Sequence, residues 1–354
     1  MNRRFPLHPS LAETVAEASS AAETKCQLNF GQGIALGVMA SAFLALATTL
    51  ALAMGATIQS PSVQKLVMGA VFPVGLIAVV VAGSELSTGN YMTTPFGAMT
   101  GCIHWRHVLR NWAVSYAGNF LGAFLLAAIV IRGAHLFTGA MWGQAWVDFL
   151  AKTAVTKANL SFMEAFWRGF LCILLVDLAV WQAYRVKEPS AKFLLVWFPT
   201  MAFFALGLEH SVVNMFLFPA AILAGADITW GQFLLDNLTP VVLGNVVGGM
   251  FIMGMLYWFS AGLPRGKSAM SLEPETDPGA GSTAFTARHP YGLLLVTLIK
   301  GVALAAIFFG LFPVASAALA NGLPSTTGIL IPLISIAYLM GLAFLLSAFG
   351  KKTP

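Results

Sequence analysis

The sequence predicts an all-α integral membrane protein. Six spans form a core of two three-span units in opposite orientation, and two further spans follow. Three observations carry this reading. First, 9% of the 354 residues are charged and 58% are hydrophobic, with a mean hydropathy of +0.80; a soluble domain needs about 25% charged residues to face water. Second, the chain holds eight apolar runs close to bilayer length, which is roughly 20 residues for a helix. Third, a polar octad inside the second run returns inside the fifth. Together these exclude a soluble enzyme, a disordered scaffold and a nucleic-acid binder, because the 19 Lys and Arg are scattered between apolar blocks. Cys26, Cys102 and Cys172 show no CxxC or Cys/His spacing, so neither a disulfide framework nor a structural zinc is expected.

Residues 1–33 precede the first span. Ser10-Leu11-Ala12-Glu13 fits a capping box, and Leu11, Val15 and Ala22 can line one face. This segment reads as a short cytoplasmic surface helix or as a loose tail with one helical turn. The six-span core covers 34–263, its repeats running over about 34–134 and 160–263. Its spans are Ile34 to Ala56, Leu66 to Ala82 after Lys65, Trp112 to Ile131, Phe162 to Tyr184, Phe193 to about Gly225, and Leu238 to Leu263. The first run is too deep in the chain and too long for a cleaved signal peptide. Residues 264–290 are rich in Pro, Gly, Ser and Thr and read as a cytoplasmic linker. A two-span appendage at 291–350 completes the chain, as Tyr291 to Ala320 and Thr327 to Phe349.

Basic residues orient these spans. Arg3, Arg4 and Lys25, then Arg106 and Arg110, then Arg185, Lys187 and Lys192, then Arg265, Lys267 and Arg288, then Lys351 and Lys352 fall on one side. The other side holds Lys65, Arg132, Lys152 and Lys157. Both termini are therefore expected in the cytoplasm, and eight spans give the right parity. Lys300 lies near enough to its helix start to snorkel inward.

The octads are Gly83-Ser84-Glu85-Leu86-Ser87-Thr88-Gly89-Asn90 and Gly207-Leu208-Glu209-His210-Ser211-Val212-Val213-Asn214, sharing G-x-E-x-S-x-x-N at an offset of 124. Gly118-Asn119-Phe120-Leu121-Gly122 matches Gly244-Asn245-Val246-Val247-Gly248 at 126, with Asn111 and Asn237 seven residues ahead of each. Three spans per unit is odd, so the second copy must enter from the opposite face, which makes an inverted repeat. Each octad interrupts an apolar helix, and shorter half-helices over 91–103 and 211–225 follow the breaks. Unwound backbone survives at membrane depth only when buried in protein or lining a polar cavity. A half-helix N-terminus favours an anion.

His210 is the one histidine inside an apolar span. It reads as a functional group at the narrowing of a pore, or as a neutral imidazole satisfied by a neighbouring hydroxyl. Thr88, in the other break, offers a hydroxyl to hold one ring nitrogen and set the tautomer. Glu85 and Glu209 start the two half-helices and read as structural caps that accept N–H bonds, in preference to proton carriers. Asn90, Asn214, Asn119 and Asn245 read as scaffold hydrogen bonds. Lys157, just ahead of the fourth span, either draws anions into an outer vestibule or simply snorkels. Phe72, Leu76 and Phe203, near the breaks, either form constrictions around His210 or only pack.

On these residues the core resembles the formate/nitrite transporter family. The motifs are the break Gly83-Ser84-Glu85-Leu86-Ser87-Thr88, the run Gly207 to Phe216 that holds Glu209-His210-Ser211, Pro240 to Gly249 in the pattern PxxxGNxxGG, and Leu178-Ala179-Val180-Trp181. The resemblance covers about residues 30–263. It implies an aquaporin-like protomer in a homopentamer, each protomer with its own pore for a small monovalent anion such as formate, nitrite, hydrosulfide or a short-chain carboxylate. It places the chain in a bacterial inner membrane and implies neither cofactor nor metal. It makes His210 the central pore histidine, Thr88 its partner, Lys157 the vestibule lysine, and Phe72, Leu76 and Phe203 constriction residues. Three departures stand out. Ser87 replaces the family's Phe, giving a smaller and more polar slit. Ile173 stands where an Asn is expected, and Asp177, one turn on, either substitutes for it or faces a helix contact. The two C-terminal spans lie outside the family core and offer lipid or a membrane-protein partner a docking face.

An anion pays several kcal/mol or more to enter an apolar slit, and its neutral acid far less. Desolvation raises the acid's pKa, so a proton joins it from water or through His210, and the neutral species crosses. No P-loop pattern occurs, so passage is expected to be passive and proton-coupled. A non-transporting subunit that keeps the channel fold is the alternative. A membrane enzyme would need a nucleophile–base pair, a metal cluster or a cofactor motif, and the dispersed acids and single intramembrane His supply none.

Overall fold

A computed structural model describes residues 9–262, and the described residues form helices and connecting turns. The expected linker at 264–290, the two-span appendage at 291–350 and Lys300 lie outside the described residues. Among the described helices, Phe30–Gly55, Pro61–Ala82, Trp105–Gly133 and Gln232–Ser260 are long and apolar enough to cross a membrane.

Helix α1 (Leu11–Gln27) starts at a complete capping box: Ser10 N donates to Glu13 Oε2 at 2.6 Å and Glu13 N to Ser10 Oγ at 3.2 Å. Its face of Val15, Ala18, Ala22 and Cys26 is buried in the protein. Thr100 Oγ1 bonds Ser19 Oγ at 3.2 Å, and Arg110 ties down the helix end through Cys26 O at 3.1 Å and Leu28 O at 2.7 Å. Helix α2 (Phe30–Gly55) begins at an Asn29–Gln32 capping box. The second span starts earlier than its apolar run, because Pro61 suits the first turn of a helix. It forms α3 (Pro61–Val71) and α4 (Pro73–Ala82), so Lys65 stands inside it, not ahead of it. After the break comes half-helix α5 (Ser87–Thr100), four residues earlier than the expected 91, because the polar stretch itself begins the helix.

Helix α6 (Trp105–Ala128) ends in a π turn at Ile129–Gly133. The stretch beyond contains α7 (Gln144–Ala158), anchored on α2 by Trp146 Nε1 to Ala53 O at 3.2 Å. Helix α8 (Phe162–Arg185) carries Glu164, Arg168 and Asp177 and starts at a Ser161–Glu164 capping box. Helix α9 (Pro189–Ala205) leads to the second break and half-helix α10 (Ser211–Leu223). The last described span, Gln232–Ser260, has α11 (Thr239–Val247) between two π-helical stretches, Gln232–Leu238 and Gly248–Leu256, and ends in α12 (Tyr257–Ser260).

Small residues let the long helices meet backbone to backbone. A Cβ on Gly118 of α6 would come 2.7 Å from Ile34 O of α2, and one on Gly244 of α11 would come closer still to Phe166 O of α8. These crossings bring Asn119 and Asn245 to the two breaks.

Candidate functional site

Both breaks end their helix the same way. Gly83 (φ 70°) and Gly207 (φ 68°) take the left-handed conformation that glycine adopts at little cost. The chain then runs extended to Leu86 and His210, which hold the N-cap positions of α5 and α10.

Buried asparagines secure this unwound backbone. Asn119 Oδ1 accepts Ser87 N at 2.9 Å, while its Nδ2 donates to Gly37 O at 2.8 Å and Glu85 O at 2.9 Å. Asn245 does the same for Ser211 N at 3.1 Å, Gly169 O at 2.8 Å and Glu209 O at 3.3 Å. Each amide satisfies three backbone groups that membrane depth would otherwise leave unpaired.

The glutamates act differently from the capping expected of them. Among the described residues, neither carboxylate accepts an N–H of its half-helix. Glu85 accepts Lys25 Nζ at 2.6 Å, Asn90 Nδ2 at 2.8 Å and Asn111 Nδ2 at 3.2 Å. Glu209 accepts Lys157 Nζ at 2.5 Å, Asn214 Nδ2 at 2.7 Å and Asn237 Nδ2 at 3.2 Å. The physical reason is that the asparagine amide already fills the N-terminal N–H, which leaves the carboxylate to side-chain donors. Lys25 was not among the residues singled out in the sequence. Burial disfavours its charge, but Glu85 outweighs that and holds the ammonium above the ordinary lysine range. Beside it, burial pushes the Cys26 thiol up to about 12, so this cysteine is an inert packing group.

His210 is buried, and its ring is fixed at both nitrogens. Val213 N donates to Nδ1 at 3.2 Å, so Nδ1 carries no proton in this arrangement. Nε2 therefore bears the hydrogen and faces Thr88 Oγ1 at 3.2 Å. Phe203 stacks on the imidazole at 5.7 Å between centroids, and Phe72 meets Phe203 edge-on at 5.5 Å. Two cavities of about 500 Å³ approach from opposite sides. One lies under α1 and is walled by Lys25, Leu76, Glu85, Leu86 and Lys192. The other lies against α7 and is walled by Lys65, Lys152, Lys157, Arg168, Gly207 and Glu209. His210, Thr88, Phe72 and Phe203 line neither, so the imidazole is sealed between them.

The structure thus brings His210, Thr88, Phe203 and Phe72 together, and sets Lys157 on Glu209. Leu76 is apart from them, in the wall of the α1 cavity, with Leu86, a residue the motif contained but gave no reason to single out. Ser87 is buried and lines neither cavity. Ile173 packs on Gly248, and Asp177 Oδ2 would lie 2.7 Å from a Cβ on Gly249, so Asp177 faces a helix contact. Neither of its carboxylate oxygens has a hydrogen-bond partner among the described residues.

A family model described as formate/nitrite transporter matches residues 12–259. The chain is 38% identical over 266 residues to a probable formate transporter of Methanothermobacter thermautotrophicus, covering 71% of this chain and 96% of that one. It is 32% identical over 275 residues to the formate channel FocA of Escherichia coli K12, covering 71% and 93%. Among solved structures, an FNT family ion channel matches with a TM-score of 0.65 at 31% identity, covering 70% of this chain and 98% of that one. A pentameric formate channel with formate bound matches at 0.58 and 29%, covering 65% and 97%.

Proposed function

The chain belongs to the formate/nitrite transporter family, and from that premise we propose that it is a passive channel that passes a small monovalent anion of the formate type as its neutral acid. The observation that carries the proposal is the His210–Thr88 pair, with Nε2 and Oγ1 3.2 Å apart, sealed between two lysine-bearing cavities. An anion in either cavity meets an ammonium. The next step, past Leu76 and Leu86 on one side or Phe72 and Phe203 on the other, is apolar and favours the protonated acid. At the centre His210 offers its Nε2–H and Thr88 its hydroxyl, so the permeant finds hydrogen bonds at the point where water is excluded. Because Val213 N holds Nδ1, the imidazole can take a second proton only by giving up the cap of α10. This favours a proton that travels with the acid from the cavity water, with His210 as hydrogen-bond donor along the way.

The two units are read as an inverted, aquaporin-like pair, each octad entering from its own face of the bilayer. The distribution of basic residues supports a cytoplasmic side for α1 and both termini in a bacterial inner membrane, with α7 outside. The pentameric relative supports a homopentamer. The two apolar runs at 291–350 would meet lipid or a membrane-protein partner.

Uptake into proteoliposomes under a pH gradient tests the reading. Far above the acid's pKa, its neutral fraction changes about tenfold per pH unit, so acidifying the source side by one unit should speed formate uptake several-fold. Uptake indifferent to the gradient would remove the proton-coupled mechanism. The seal on both sides of His210 also suits a non-transporting subunit with the same fold, and a protein that passes none of formate, nitrite, hydrosulfide, bicarbonate and lactate would select it.

A further inference from the structure

The last described span carries an apolar face that no described residue covers. Ile252, Leu256 and Phe259 are 36%, 49% and 45% exposed, while Phe251, Met253 and Met255 between them are buried. The three follow one another at steps of four and three residues, over the π-helical stretch Gly248–Leu256 and α12. They therefore form one stripe of large side chains on the turns from which the chain leaves the core. Residues 263–354 follow directly, and the family match stops at residue 259. Consecutive elements of a chain are neighbours in space about two-thirds of the time, so the first candidate to cover the stripe is the next apolar run.

That run has a matching pattern in the sequence. Ala303, Ala306 and Gly310 recur at steps of three and four, which is the stripe's spacing reversed. At helical spacing they share one face, and Leu304, Phe308 and Phe312 fall on the opposite one. Helices in a bilayer associate where small residues let a neighbour approach closely. A reversed spacing fits an antiparallel neighbour, and an antiparallel neighbour is what a linker that begins and ends on one side of the membrane requires. The pairing that sets Ala303, Ala306 and Gly310 against Phe259, Leu256 and Ile252 also fixes depth. It brings Lys300 level with Gly262, at the end of the last described span, where its ammonium reaches the interface. It brings the polar turn Asn321 to Thr326 level with Asp236 to Val241, near the other end of that span. Both ends of the run thus coincide with both ends of its proposed neighbour.

We propose that residues 300–312 of the same chain dock as an antiparallel helix on the Ile252–Leu256–Phe259 stripe, with Gly310, Ala306 and Ala303 receiving the three large side chains. The docked segment fastens the two-span appendage to its own core and takes this face away from lipid and from a second copy. The docking does not depend on what the core passes, so a protein without formate flux leaves it standing.

Cysteine cross-linking of the full chain in membranes tests the register. Cys26 and Cys172 are buried, so C102S removes the one partly exposed thiol of the described residues. In that background the matched pairs F259C/A303C, L256C/A306C and I252C/G310C are oxidised, with a protease site placed within 264–290. A disulfide needs Cα atoms about 4–7 Å apart, so each matched pair should close at least roughly fivefold faster than L256C/F308C, whose second cysteine lies on the opposite face. The linked protein should keep the mass of one chain before cleavage and should not separate into fragments after it. The three pairs are independent, so a variant that does not purify as a monodisperse species leaves the others to decide. Absence of a link in the matched pairs that do purify would overturn the proposal and leave the stripe to lipid. Equal closure in L256C/F308C would overturn the assigned face. A link that joins two chains would give the stripe to a second copy and overturn docking within one protomer.

Discussion

The two breaks share a scaffold and differ at the residue that caps each half-helix. At each, a left-handed glycine ends a helix, an asparagine from a neighbouring span holds three backbone groups, and a glutamate is ringed by one lysine and two asparagines. The correspondence reaches beyond 34–134 and 160–263, since Lys25 comes from α1 and Lys157 from α7, each just ahead of its unit's first span. Among the positions that differ is the N-cap: Leu86 in one unit, His210 in the other. Backbone unwound inside a bilayer makes the same demands wherever it occurs, so both copies keep the residues that meet them. The position free of that demand carries the imidazole. Its partner Thr88 comes from the other unit, so the polar pair exists only where the units meet.

The comparison breaks most severely if the scaffold itself is cut. Asn119→Ala and Asn245→Ala each strand three buried backbone groups, at about 1–3 kcal/mol apiece. A loss of about 3–5 kcal/mol is expected from either, seen as a lower Tm and loss of the monodisperse species in detergent. If one copy tolerates the change and the other does not, the two breaks are not equivalent supports.

The lysines come next. Removing one member of a buried ion pair leaves the other charge uncompensated, at about 3–5 kcal/mol when burial is complete. Glu209 is fully buried and Lys157 16% exposed, against 4% and 22% for Glu85 and Lys25. Lys157→Gln should therefore destabilise by about 3 kcal/mol and Lys25→Gln by about 2 kcal/mol, with the two asparagines keeping both carboxylates partly satisfied. Thermal unfolding of the two variants side by side checks the order, and Lys25→Gln as the more damaging would contradict it.

This contrast also marks what could be read from the chain alone. The octads and the Gly-Asn pairs were visible because the same local demand wrote the same residues twice, at offsets of 124 and 126. His210 stood out through the absence of any other histidine in an apolar run. Lys25 did not, because it lies 60 residues from Glu85 in a segment that looked like a surface helix. Asn111 and Asn237 were visible as a spacing, yet no spacing tells which carboxylate an amide will face. The α7 helix was hidden because its hydrophobic face is anchored by Trp146 to a carbonyl of α2, a contact 93 residues distant. Ser87 was singled out by its departure from the family motif, and sequence gives no sign that it lies behind the cavity wall.

His210→Leu makes the second N-cap match the first. The variant loses the acceptor for Val213 N and the donor to Thr88. One hydrogen bond to the permeant is worth about 1 kcal/mol or a little more, so formate flux should fall by roughly tenfold while the oligomer stays intact. The remaining flux should keep its dependence on a pH gradient, because the proton travels with the acid and not through the imidazole. Unaltered flux would show that the N-cap residue of the second break does not touch the permeant.

The smallest effect is expected at the N1 positions, where both units have serine: Ser87 and Ser211. Ser87 is buried and lines neither cavity, but it stands between Leu86 in the cavity wall and Thr88 at the centre. A larger side chain can narrow the slit only by pushing on these two neighbours. Ser87→Phe should lower acetate and lactate flux a few-fold more than formate flux, since a methylene's difference in fit corresponds to about 1–3 kcal/mol at most. Ser87→Ala, which keeps the backbone donor to Asn119, should leave the ratios alone. Equal selectivity in the phenylalanine variant, in protein that remains monodisperse, would mean that the slit's width is set by Leu86 and Leu76 and not by the residue that departs from the family pattern.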